Sequence, residues 1–147
     1  MYRFKLQALL NHRCHQEEVC QKELAEAQRD LSDAQEKLRC IKRDKRDNIQ
    51  KLQAMQNERH NASEVLLFIN YIEQLSRDLD SQLQQAHSAS KHVTQKRDNL
   101  IAIMKKRKTL EKLKEKGWLE YQKKMMQAER KFNDEVAATR HIRKISS

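Results

Sequence analysis

Leu24, Leu31, Leu38 and Leu52 fall seven or fourteen residues apart, and Ala27, Ala34, Ile41 and Met55 take the alternating positions. Apolar residues in that heptad form a seam for one partner helix, broken here by Lys45 and Asn48. Extended backwards, the same frame collects Cys20, Leu10 and Leu6. Proline is absent and glycine occurs once in 147 residues, so almost nothing punctuates the helical pattern. With 37% hydrophobic and 35% charged residues, the chain cannot fill a globular core, but it can bury a single stripe. The expected fold is all-α: one coiled-coil domain over residues 1–147.

The clearest break is the polar stretch Asn57–Glu64, with the bend expected at about 57–63. Asn61 and Glu64 have capping-box spacing, and Val65–Ile72 restarts a strongly apolar helix. Helix one is expected over about 3–60 and helix two over about 64–142, as an antiparallel αα-hairpin. If facing residues sum to about 124, apolar residues meet along the whole seam. Met55 then meets Ile69, Leu52 meets Ile72, Ile41 meets Leu83, and Leu38 meets Ala86. Leu31 likewise meets Val93, Leu24 meets Leu100, Leu6 meets Trp118, and Ala34 meets Ser90. Glu17 falls beside Arg107, and Arg13 beside Glu111. Such a hairpin satisfies most of its own seam and is expected to be a monomer. The structural alternative is a parallel dimer of uninterrupted helices, because a turn without Gly or Pro is weakly signalled.

Helix two outruns helix one in this register, from Tyr121 onward. Met125, Ala128 and Phe132 keep an apolar stripe there, among Lys123, Lys124, Arg130, Lys131, Arg140, Arg143 and Lys144. An apolar stripe with no intramolecular partner is a docking surface, and a net charge of +10 asks for an acidic partner. Tyr2, Phe4, Trp118 and Tyr121 should gather at the open end, with Phe68 and Tyr71 near the bend and Phe132 on the overhang. Aromatic residues at both ends indicate two contact points.

Enzyme chemistry has no foothold. Gly117 is the only glycine, so no phosphate loop exists, and no nucleophile–base arrangement is legible. His12, Cys14 and His15 are the one metal-like cluster, and an unclosed ligand set is a weak one. No cofactor is expected. Three cysteines without metal-ligand spacing fit a reducing cytoplasm, and no run of 18 apolar residues offers a membrane span. The basic run Lys105–Lys108 with Lys112, Lys114 and Lys116 is interrupted by Glu111 and Glu115 and lacks interleaved aromatics. It suits an acidic protein surface better than nucleic acid, which stands as the alternative partner class.

Three stretches resemble the FliJ family of flagellar export proteins. They are Phe4–Leu10 with Arg13 and Glu17; Phe68, Tyr71 and Leu75; and Lys105 through Leu113 to Glu129–Ala137 and Arg140. The resemblance implies a non-catalytic antiparallel coiled coil whose terminal end enters a hexameric export ATPase ring as its central stalk. It also implies contact with the membrane export gate and with export chaperones, on the cytoplasmic face of the inner membrane. Carried onto this chain, Phe68, Tyr71 and Leu75 belong to the gate surface. The facing part of helix one departs from the family, with Ile41, Asp44 and Asn48 where tyrosines are common. The ring-binding set combines the overhang with its root: Trp118, Tyr121, Lys123, Lys124, Met125, Ala128, Arg130, Lys131 and Phe132. The stalk proteins of virulence-type injectisomes share this architecture and are the nearest alternative.

Overall fold

The computed structural model describes residues 1–58 and 61–147. Two helices, α1 (Gln7–Gln56) and α2 (Ala62–Ser146), pack against each other as an α-hairpin coiled coil. The interruption between them excludes the uninterrupted helix that a parallel dimer requires. Arg59 and His60, inside the expected bend, lie outside the described residues. Asn61 caps α2: its side-chain oxygen accepts the Ser63 N–H at 3.3 Å, and its carbonyl accepts those of Glu64 and Val65. α1 begins at Gln7, later than residue 3, and Tyr2 ahead of it is held by ring contacts with Trp118 and Tyr121 and not by a helical ladder.

The chain divides into two compact units, Glu18–Ile101 and Met1–Glu17 with Ala102–Ser147. In the first, the helices meet through Ala27, Leu75 and Val93, each no more than 6% exposed. Cys20, Leu24, Leu31, Ala34, Leu38, Ile41, Lys45, Asn48, Leu52 and Met55 are half-buried, so the heptad of α1 is the buried face. Lys45 and Asn48 stay in that frame despite their polarity. On α2 the matching positions are Val65, Phe68, Ile72, Leu75, Leu79, Gln82, Ala86, Ala89, Val93, Lys96 and Leu100.

The register differs from the expected one by about one helical turn: facing residues sum to about 120. Lys96 reaches Glu23 at 3.1 Å in this unit, and in the other Tyr2 meets Trp118. Ile69, Leu83 and Ser90, expected in the seam, are exposed, and their places are taken by Phe68, Gln82 and Ala89. Leu6 is 42% exposed and stands outside both helix and seam. α1 stops at Gln56 and α2 starts at Ala62, each before the expected bounds of about 60 and 64, and the pairing shifts with them.

Gln82 is the one polar residue buried among those described, and its amide donates to the Ala34 carbonyl at 3.0 Å. That carbonyl already has a place in the α1 ladder, so losing Gln82 orphans nothing. Gln82→Leu is therefore expected to raise stability by about 1 kcal/mol, read as a higher thermal midpoint. The cost is a weaker lock on register, because one apolar side chain packs almost as well a turn away.

Candidate partner-docking sites

Within the unit formed by Met1–Glu17 and Ala102–Ser147, Leu10 and Leu110 are the buried pair, 6% and 7% exposed. Arg107 occupies the next seam position and binds the carboxylates of Glu17 and, at 2.6 Å, Glu111. The contact with Glu17 is the one anticipated. Glu111, however, pairs along its own helix, and Arg13 donates to Gln16 at 2.8 Å, so the expected Arg13–Glu111 pair does not form. The hydrogen bonds of Arg107 to Glu111 and then Glu17 hold the guanidinium above its ordinary pKa. A raised value adds stability below the unfolded pKa and loses it only above the folded one. Both limits lie beyond any working pH, so Arg107 remains charged throughout.

Three rings close this unit. Tyr2 sits edge-on to Trp118 with centroids 5.8 Å apart, Tyr2 to Tyr121 is also 5.8 Å, and Trp118 stacks on Tyr121 at 5.9 Å. The Tyr2 hydroxyl donates to the Lys114 carbonyl at 3.3 Å. Phe4 lines a shallow groove beside them with Leu6, Leu113, Gly117 and Tyr121. The four aromatic residues expected at this end are thus found together. Trp118 packs on Tyr2, not on Leu6.

Beyond Tyr121 the described residues of α2 are exposed, apart from half-buried Val136. Met125 is 49% and Phe132 66% exposed. Ala128 and the cations Lys123, Lys124, Arg130 and Lys131 are exposed as well. The buried frame of α2 passes through Lys114, Gly117 and Tyr121, and its continuation would be Lys124, Ala128, Lys131 and Glu135. The apolar lane runs Trp118, Tyr121, Met125, Ala128, Phe132 and Val136, sharing Tyr121 and Ala128 with that frame and taking the adjacent position elsewhere.

Near the bend, the structure separates the three residues of the second site. Leu75 is 6% exposed and packed in the seam, Phe68 is half-buried, and Tyr71 is 49% exposed. Leu66 and Leu67, missed in the sequence, are 57% and 68% exposed beside Tyr71. Continuing the heptad back from Tyr121 to Val65 would have placed both outside the seam. α2 carries no basic residue before Arg77, so this patch is apolar where the overhang is cationic.

His12 and His15 are exposed and Cys14 is half-buried; among the described residues no three metal-type side chains converge. No described helix is long and apolar enough to cross a membrane.

Comparison with known proteins places this geometry. The family model described as "Flagellar FliJ protein" matches residues 2–146. No curated protein matches the chain. Among solved structures, a proposed YscO homolog from Chlamydia trachomatis superposes with a TM-score of 0.57 at 22% identity, covering 96% of each chain. At that identity the likeness speaks for the fold.

Proposed function

The chain belongs to the FliJ family of flagellar proteins, and from that premise we propose that it is the stalk of a flagellar export ATPase ring. The observation carrying this reading is the bare end of α2 after Tyr121. An apolar lane including Met125 and Phe132 has no cover within the chain and is sleeved in Lys123, Lys124, Arg130 and Lys131. Such a helix fits an acidic opening that offers apolar contacts at its centre. Asymmetric contacts there bias which subunit interfaces close around nucleotide, and no chemistry is asked of the stalk itself.

The exposed patch near the bend, Leu66, Leu67 and Tyr71, serves the second contact, with the membrane export gate. Of the gate residues expected from the sequence, Tyr71 offers the free ring, while Phe68 and Leu75 support it from the seam. Export chaperones are further partners of the same assembly. Work on both the ring and the gate sets the chain at the cytoplasmic face of the inner membrane.

Reversing Lys123, Lys124, Arg130 and Lys131 to Glu tests the reading. Association with the ATPase of the same system should slow by about tenfold or more, and the residual binding should depend less on salt. Unchanged association kinetics would remove the acidic opening from the argument.

A further inference from the structure

We propose that Tyr2 is a displaceable strap over the root of the overhang, which the ring partner lifts from Gly117 in order to pack on Trp118 and Tyr121. The proposal rests on the stalk reading above.

Glycine within a helix costs about 1 kcal/mol relative to alanine, so the chain's single glycine, inside α2, needs a cause. Backbone conformation is not that cause, because Gly117 has no positive φ. Space is. A Cβ on Gly117 would stand 2.1 Å from the Tyr2 hydroxyl oxygen and 3.0 Å from its Cζ. Gly117 is a notch in the buried frame of α2, and the Tyr2 ring fills it.

The hold on that ring is light. Tyr2 precedes the first residue of α1, so no helical ladder fixes its backbone. Its hydroxyl makes one bond, a long one of 3.3 Å. The ring contacts with Trp118 and Tyr121 supply the rest. Those two residues also begin the apolar lane that continues bare through Met125, Ala128 and Phe132. Because Tyr2 packs on Trp118 and Tyr121, a partner docked along the lane as far as its root meets the Tyr2 ring. The strap and an acidic, apolar-centred partner therefore compete for one surface, and the strap lowers apparent affinity by the fraction of time it is closed.

The test uses the full chain as wild type, Tyr2→Ala and Gly117→Ala, with the export ATPase of the same system. Trp118 is the only tryptophan, so its acrylamide quenching and near-ultraviolet circular dichroism report the strap. Gly117→Ala should expel Tyr2 and raise quenching to the level of Tyr2→Ala without lowering the melting temperature, since alanine is the better helix former. Both variants should bind the ATPase about three- to tenfold more tightly, the range expected when one aromatic contact stops competing. Binding should also shield Trp118 in the wild type. Unchanged quenching in Gly117→Ala would overturn the seating of Tyr2. Equal or weaker binding by both variants, with normal binding by the wild type, would make the ring cluster fixed packing and leave the stalk reading standing. A wild-type chain that ignores the ATPase overturns both.

Discussion

Deleting Gln122–Ser147 is expected to abolish stimulation of the partner ATPase while leaving the hairpin folded. The deleted residues, Val136 apart, are exposed, so little burial within the chain goes with them. The melting midpoint should move by no more than about 4 °C, corresponding to less than about 1 kcal/mol. The cut is placed after Tyr121 because that ring stacks on Trp118 at 5.9 Å and contacts Tyr2. Removing it as well would confuse loss of docking with loss of packing. ATPase rate and thermal melting, measured on the same preparation, decide the matter. A truncated chain that still activates the enzyme fully makes the overhang a passive tail and moves the working surface elsewhere.

Leu75→Ala and Tyr71→Ala, four residues apart on α2, are expected to fail in opposite ways. Leu75 is 6% exposed between the helices, so truncating it should cost about 2–3 kcal/mol. The lower part of the range for buried leucines applies, because a two-helix seam lets water reach the vacated space. Tyr71 is 49% exposed, and its replacement should change stability by less than about 0.5 kcal/mol. Binding to the export-gate cytoplasmic domain should weaken in Tyr71→Ala, and weaken further when Leu67→Ala is added. Denaturant melts read the first effect and a pull-down titration reads the second. Should Tyr71→Ala bind normally and melt early, its ring belongs to the turn and the gate contact must be sought on α1.

The sequence by itself determined which face of α1 is buried. A period of 3.5 residues keeps Leu24, Ala27, Leu31, Ala34, Leu38 and Ile41 on one side of α1 whatever lies opposite. The near absence of Gly and Pro determined helix throughout, Asn61 marked the start of α2, and Glu17 was correctly set beside Arg107. The bare end of α2 was legible for the same reason, since an apolar residue such as Phe132 outside any intramolecular pairing shows in the pattern alone.

Register and the seating of Tyr2 were decided only in the tertiary structure. A heptad seam almost matches itself when slid by one turn, so apolar pairing alone separated the two settings poorly. The positions of the two helix ends, with Lys96 on Glu23 and Gln82 on the Ala34 carbonyl, mark the observed one. That selection buried Leu75 in the seam. Gly117 stood out in the sequence as an unexplained glycine, but its partner lies 115 positions away in the chain. Periodicity is local and fixes a helix face. The seating of Tyr2 in a notch of α2 depends on where two distant segments come to rest, and no local pattern encodes that.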